Sequence, residues 1–135
     1  MKFIVDGNVF SEPTKPLFEQ RVVDWLNANG PEIATDAVVM GEIWSGVDAL
    51  PAGRKKQALV EWFEDLQANV LCLPWTLETA IVWGELLNSV KRAGFTVGLA
   101  DTMIAATAKR HGLTVVTRNV EDFTRCGVAV VNPFA

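Results

Sequence analysis

The chain has 135 residues, of which 50% are apolar and 21% are charged, and its formal net charge is −4 at pH 7. This balance is typical of a globular domain and excludes disordered, collagen-like and coiled-coil chains. No apolar stretch is long enough to cross a membrane, and the first residues lack the apolar run of a secretory signal. Two cysteines argue against a disulfide framework. We therefore expect a single domain over residues 1–135 in the reducing cytoplasm, with no membrane contact.

Charge and histidine content restrict the kinds of site that this chain can build. The net negative charge has the wrong sign for binding nucleic acid through bulk electrostatics. The one histidine, His111, and the lack of Cys or His pairs at zinc spacing exclude a His-ligated metal site. Any metal must therefore be held by carboxylates, which select hard cations such as Mg²⁺ or Mn²⁺.

Short apolar runs that end at turn-forming residues alternate along the chain with stretches of helical periodicity. In chain order, they predict a strand at 3–5, a helix at 17–29, a strand at 32–35, helices at 38–50 and 55–69, a strand at 70–73, a helix from 76 to 93, a helix at 102–111, a strand at 114–117, a loop or short helix at 118–124 and a strand at 128–131. Strands that alternate with helices form βαβ units and a parallel sheet. The predicted fold is a three-layer α/β/α domain with four or five parallel strands.

Four carboxylates stand where a surface role does not readily explain them. In an open α/β sheet the ligand site lies beyond the carboxyl ends of the strands. Each of the four follows a predicted strand or is the only charge in an apolar stretch: Asp6, Glu42, Asp101 and Asp122. Glu121 stands beside the last of them and leaves that assignment open.

Each of these acids also has a purely structural explanation. Asp6 could shape a turn, Asp101 could cap the helix at 102–111, Glu42 could point to solvent, and Asp122 could cap a turn beside an arginine. For all four acids together these structural explanations are less convincing, because a carboxylate that is isolated among apolar residues needs a hydrogen-bond or charge partner. Clustered carboxylates repel one another unless a cation lies between them. The pattern therefore predicts metal-assisted hydrolysis of a phosphodiester.

The candidate acids lie in four short stretches: FIVDGNV at 3–9, Gly-Glu at 41–42, ADTMIAATA at 100–108 and VTRNVEDF at 116–123. Together these stretches resemble the PIN-domain family, and in particular the VapC-type toxins of bacterial toxin–antitoxin pairs. The resemblance covers essentially the whole chain. The two C-terminal stretches are highly specific, whereas the Gly-Glu pair alone would be weak.

The resemblance implies a Mg²⁺-dependent endoribonuclease, specific for single-stranded RNA, with Mn²⁺ as an alternative metal. It also implies a cognate antitoxin and a homodimer. Two acids would be the principal metal ligands and two would complete the pocket directly or through water: Asp6 and Asp101, then Glu42 and Asp122. Three polar residues would hold these carboxylates in place: Asn8, Thr117 and Asn119.

One position departs from the family pattern, because Gly7 stands where members usually carry Thr or Ser. The missing hydroxyl predicts weaker metal binding or lower activity with an unchanged fold. A second hypothesis is therefore a non-catalytic module whose acidic pocket receives a basic segment of an antitoxin. A phosphatase of the haloacid dehalogenase type is set aside, since it needs a second Asp where this chain has Asn8.

Removal of the four site acids leaves twelve acidic against twelve basic residues, so the remaining surface is balanced. Local basic groups could then guide an RNA backbone, although each is also explained as an ordinary solvated face: 54–56, 91–92, 109–110 and Arg118. The five tryptophans are expected mainly in the core, with a dimer interface, an antitoxin groove or base stacking as alternatives.

Overall fold

The computed structural model describes residues 1–135, and its framework is a parallel sheet of five short strands. The strands are β1 (Phe3–Val5), β2 (Ile33–Asp36), β3 (Leu71–Leu73), β4 (Thr114–Val116) and β5 (Val130–Val131). The helices are α1 (Gly7–Phe10), α2 (Gln20–Asn29), α3 (Ala37–Asp48), α4 (Arg54–Asn69), α5 (Leu77–Arg92), α6 (Leu99–His111) and α7 (Val120–Arg125). Single turns of 3-10 helix at Glu12–Thr14 and Gly30–Glu32 precede α2 and β2.

The strand order is β3-β2-β1-β4-β5, and every neighbouring pair is parallel. At the centre, Ile4 lies between Ala34 of β2 and Val115 of β4. Connections between parallel strands are almost always right-handed, so those from β1 to β3 and those from β3 to β5 cover opposite faces of the sheet. The predicted three-layer α/β/α fold is confirmed, with five strands. The direction of travel across the sheet reverses between β1 and β4, where open α/β sheets bind ligands.

The central strands are apolar because helices cover both of their faces. Ile4, Val5, Val115 and Val116 have no exposed surface, and Phe123 of α7 joins them in one core cluster. Full burial of a side chain of this size contributes about 1.5–3 kcal/mol to folding. None of the helices combines the length and apolar character that a membrane crossing requires.

Capping contacts fix two helix ends where the sequence predicts them. Thr76 Oγ1 accepts a hydrogen bond from the Thr79 N–H at 3.3 Å, and α5 begins at the next residue. Gly112 has left-handed backbone with φ 66° and ends α6, its N–H donating to the Ala108 carbonyl. Glycine is favoured there because it has no Cβ to clash in this conformation.

The helix predicted at 17–29 begins later, at Gln20. Leu17, whose apolar side chain suggested an earlier start, is 93% exposed. The buried Glu12 carboxylate holds this segment as a loop, because Oε2 accepts from the Glu19 N–H at 3.0 Å and Oε1 pairs with Lys15 Nζ at 3.0 Å. The apolar pattern could not show this tie, since it is made by a carboxylate with a backbone N–H and a lysine, not by apolar side chains.

Two helices next to the predicted site also differ from the expectation. The turn expected after β1 is the short helix α1, which Asp6 caps. Helix α6 begins at Leu99, with Gly98 as its N-terminal cap, and not at residue 102. Asp101 therefore lies within the first turn of α6, and the purely capping explanation for this residue is wrong. Other predicted boundaries agree within two residues.

The tryptophans contact the core in different ways. Trp25 and Trp62 are partly buried against it, as expected, and Trp25 meets Phe3 edge-on with ring centroids 5.0 Å apart. Trp83 Nε1 donates to Thr102 Oγ1 at 3.0 Å and thereby joins α5 to α6. The indole N–H of this tryptophan thus has the polar partner that a partly buried donor needs.

Candidate active site

Three of the predicted acids line one cleft of about 440 Å³, at the carboxyl end of β1 and beside the first turn of α6. Asp6, Glu42 and Asp101 contribute to its wall, as do Asn8 and Asn119. They come from separate parts of the chain that the parallel sheet brings to the same edge. The fold therefore collects the isolated carboxylates that the sequence singled out.

Asp6 is 7% exposed, and both of its carboxylate oxygens are held. Oδ1 accepts from the Gly7 N–H at 2.8 Å, and Oδ2 accepts from Thr117 Oγ1 at 2.8 Å and Asn8 Nδ2 at 3.3 Å. Burial raises the pKa of Asp6, and these hydrogen bonds oppose the rise because they favour the charged form. Both oxygens are thereby fixed in direction at the end of β1.

The turns after β1 and β4 are joined by polar side chains. Thr117 Oγ1 donates to Asp6 and accepts from the Asn119 N–H at 2.9 Å, while Asn8 Oδ1 accepts from the Arg118 N–H at 3.1 Å. Asn8 and Thr117 thus lie where the sequence analysis expects residues that hold the carboxylates. The two turns are linked to each other because each supplies hydrogen-bond donors to the other.

Asn119 joins the other two acids of the cluster. Its Nδ2 donates to Asp101 Oδ2 at 2.6 Å and to Asp122 Oδ2 at 3.0 Å. Asp122 does not line the cleft itself but lies directly behind Asp101. Glu121, the competing candidate, instead pairs with Arg125 and its side chain is 75% exposed. The structure therefore separates the two neighbouring acids, with Asp122 on the cluster and Glu121 on the surface.

Mutual repulsion within the cluster shows in the pKa of Asp101, which is raised to about 6. Burial is the largest cause, followed by the negative charges of Asp6, Asp122 and Glu42. The pKa of Glu42 is also raised, by burial and then by the charges of Asp6 and Asp36. Glu42 projects from α3 with no hydrogen-bond or ion-pair partner.

No basic side chain neutralises the cluster. The ion pairs of the structure involve other carboxylates: Glu12, Glu19, Glu32 and Glu121. An unpaired group of carboxylates in a concave site is costly unless a cation compensates the charge. No group of three or more Asp, Glu, His or Cys side chains is arranged so that it could hold a metal ion.

Asp36, which the sequence analysis did not single out, is a further carboxylate beneath the cluster. It is buried at the end of β2, where Oδ1 accepts from the Val39 N–H at 2.8 Å and Oδ2 from Thr107 Oγ1 at 2.6 Å. Burial is the main cause of its raised pKa, and the charge of Asp6 adds to it. The sequence feature that could have identified Asp36 is its position as the N-terminal cap of an apolar helix. The strand predicted at 32–35 and the helix predicted from 38 left this residue between the two elements.

The PIN domain family matches residues 3–128 of this chain. Toxin FitB from Neisseria gonorrhoeae is 36% identical over 135 residues, which cover 97% of this chain and 97% of that protein. VapC ribonuclease Y4jK from Sinorhizobium fredii is 31% identical over 135 residues, 97% of this chain and 96% of that protein. The crystal structure of FitAcB from Neisseria gonorrhoeae matches with a TM-score of 0.88 and 36% identity, covering 98% of each chain. In sequence and in fold, the chain belongs to the PIN domain family.

Proposed function

We propose that this chain is the toxin of a toxin–antitoxin pair and acts as an endoribonuclease on single-stranded RNA. The names of its relatives, a toxin and a VapC ribonuclease, support the assignment. The observation that carries it is the cleft in which Asp6, Glu42 and Asp101 meet without a basic partner. Such a site is suited to a phosphodiester only when a cation accompanies the substrate.

The proposed cofactor is Mg²⁺, with Mn²⁺ as a substitute. The candidate donors are carboxylate oxygens, which hard cations prefer. Mg²⁺ commonly takes only one or two carboxylates and keeps several waters, so Asp6 and Asp101 would hold it, with Glu42 and Asp122 acting directly or through water. When bound, this ion supplies a more acidic water and stabilises the charge that grows on the phosphodiester.

The residues of the chain would orient the reactants. Asp6 and Asp101 are held in fixed directions by Thr117 and Asn119. Glu42 has no hydrogen-bond partner, so its carboxylate is free to accept a proton from the attacking water. The water oxygen would then bond to phosphorus as the bond between phosphorus and a ribose oxygen breaks, and the departing oxygen would take a proton from a solvent water.

The proposed partners are the RNA substrate, a cognate antitoxin and a second copy of the chain. The antitoxin is proposed because the relative FitB is named a toxin. The homodimer stays a prediction, which sedimentation analysis of the purified protein would check.

The proposal is tested by cleavage of a mixed pool of single-stranded and structured RNAs in Mg²⁺, Mn²⁺ or EDTA. We expect metal-dependent cleavage of the single-stranded members that Asp101→Asn abolishes. Asp65→Asn, an exposed carboxylate of α4 outside the cleft, is the matched control and keeps full activity. If folded wild-type protein cleaves no RNA at any metal concentration, the ribonuclease function is contradicted. The remaining hypothesis is then the non-catalytic module whose acidic pocket binds a basic peptide.

A further inference from the structure

The acidic cleft continues into a second compartment of opposite charge. This lysine compartment has a volume of about 350 Å³ and includes Lys15 and Lys55 in its wall. Thr14, Gly46 and Leu59 line both the acidic cleft and the lysine compartment. Because the same residues line both, the two spaces adjoin each other, and together they are called the groove below.

Only one of the two lysines of the lysine compartment forms an ion pair, so positive charge remains there. Lys55 lies exposed in the first turn of α4 and forms no ion pair. Lys15 Nζ pairs with Glu12 at 3.0 Å, yet its side chain remains 49% exposed. Gly53 gives α4 no side-chain cap, so the positive end of that helix adds to the lysine charges.

Gly46 stands at the junction of the two compartments for no reason of packing. It lies inside α3, where glycine is among the least favourable residues. A Cβ at this position would meet no atom within 4 Å, so the backbone does not need glycine to avoid a clash. A larger side chain at Gly46 would instead project into the groove. With glycine here, no side chain fills the boundary between the acids and the lysines.

We propose that the lysine compartment binds a phosphate adjacent to the one that is cut, and that Gly46 leaves room for the RNA strand between them. This inference rests on the proposed ribonuclease function and extends it to the path of the substrate. Successive phosphates of RNA each carry a negative charge, which the acidic cleft repels and Lys55 attracts. The groove therefore favours strands that carry at least two phosphodiesters.

The test measures binding of a dye-labelled single-stranded RNA to the Asp101→Asn protein, so that cleavage is not needed for the readout. Lys55→Ala is expected to weaken binding about threefold to fivefold and to reduce the slope of log K against log salt by about 0.7. Lys109→Ala removes the same charge at the far end of α6 and is expected to change neither quantity. Equal losses for both variants would mean bulk attraction and would overturn the proposal.

A second variant tests the passage independently of charge. Gly46→Leu is expected to lose RNA binding while its unfolding midpoint equals or exceeds that of the parent, because leucine favours a helix more than glycine does. Gly84→Leu makes the same change inside α5, where a Cβ also meets nothing, and keeps binding. Undiminished binding by a folded Gly46→Leu protein would overturn the proposal.

Cleavage measurements on the wild-type background separate this inference from the proposed function. Lys55→Ala is expected to raise KM for a longer RNA and to leave a dinucleotide with one phosphodiester unaffected. Cleavage that does not depend on Lys55 would contradict the proposed path of the RNA strand but would still support the ribonuclease function. RNA binding that depends on Lys55 and Gly46 supports the path even when no cleavage occurs. If the protein binds an oligo-glutamate peptide through Lys55 and does not bind RNA, the proposed path is wrong and the lysine compartment instead binds an acidic protein partner.

Discussion

At the scale of single residues, an uncharged side chain holds two like charges side by side. Asn119 donates from one Nδ2 atom to both Asp101 and Asp122. Two carboxylates in such proximity repel each other, and the two amide hydrogens offset part of that repulsion. The orientation of the carboxylates therefore depends on a residue that carries no charge and binds no metal in the proposed mechanism.

Asn119→Ala is expected to lower kcat/KM for RNA about 10-fold to 100-fold, the range typical of residues that orient metal-binding side chains. The loss arises because Asp101 and Asp122 separate when the bridging donor is removed. Asn69→Ala is the control, since Asn69 only donates to the Asp65 carbonyl on the surface of α4. Equal activity of the Asn119 variant and the control would contradict the orienting role.

The raised pKa of Asp101 makes metal-free protein less stable at neutral pH than in mild acid. Its pKa is about 6 in the folded state against 3.8 ordinarily, so the folded state binds the proton more tightly. The free energy of unfolding therefore falls as pH rises from about 4 through about 6. Asp101→Asn removes the part of this fall that Asp101 causes and is expected to exceed the wild type by about 1 kcal/mol near pH 7, after a discount for solvent screening.

Urea unfolding in EDTA from about pH 4 to about pH 8 measures this difference. The variant and the wild type should differ least at the acid end, where Asp101 is protonated in the folded state and partly protonated in the unfolded state. A wild-type curve that rises through the same interval while the Asn variant stays below it would show that the sign is wrong.

Gly7 is packed more closely than its small size suggests. A Cβ at this position would lie 3.2 Å from Ile43 Cγ1, so a larger residue requires that side chain to move. We expect Gly7→Ala to destabilise the protein by about 1 kcal/mol, as modest overpacking usually does. The added cost should disappear in an Ile43→Ala background, and a double-mutant cycle by urea unfolding measures the coupling. Additive effects would mean that the two positions do not compete for space.

At the scale of elements, the periodicity of the sequence predicts most helices and strands, and the exceptions share one cause. Helix α1 is a single short turn, α2 begins only after the segment that Glu12 holds, and the first turn of α6 is held by the Thr102 Oγ1 bond to the Leu99 carbonyl. Apolar periodicity cannot report such features, because a single turn or a single polar contact leaves no repeat of apolar residues in the sequence. Boundaries determined by local capping, as at Thr76 and Gly112, could be predicted.

One buried hydrogen bond connects two of the helices that bear site acids. Asp36 caps α3, which carries Glu42, and accepts from Thr107 of α6, which carries Asp101. Thr107→Val removes the donor and leaves the carboxylate oxygen buried, which we expect to cost about 1–3 kcal/mol. Thermal unfolding would measure the loss, with the exposed Thr124→Val as control. A Thr107 variant as stable as the control would contradict the link.

At the scale of the whole molecule, the sequence indicated which acids meet but not how they are held. Isolation in apolar stretches and position after strands singled out Asp6, Glu42 and Asp101, and left Asp122 undecided against Glu121. Their distances, the bridging role of Asn119 and the buried Asp36 depend on chain segments that approach only in the folded sheet. No local sequence pattern encodes these contacts between distant segments, so they are visible only in the folded structure.

Mg²⁺ is expected to stabilise the folded protein because only the folded state assembles the acids. Saturation at 100 times the dissociation constant would add about 2.7 kcal/mol. The thermal midpoint in Mg²⁺ should therefore exceed that in EDTA, and Asp101→Asn should remove most of the difference. The Asp65→Asn variant should keep it. An equal Mg²⁺ response in both variants would mean that the ion binds elsewhere, and this readout requires no RNA.

The bond between Thr117 and Asp6 spans 111 positions of the chain. Strand β1 is synthesised first and can pair with β4 only after residues 114–116 have been added. Until then Asp6 lacks Thr117, and Asp101 lacks the Asn119 donor that steadies it. A nascent polypeptide that stops before residue 117 thus has no assembled site. The order of the strands in the sheet therefore delays the assembly of the acids until late in the synthesis of this domain.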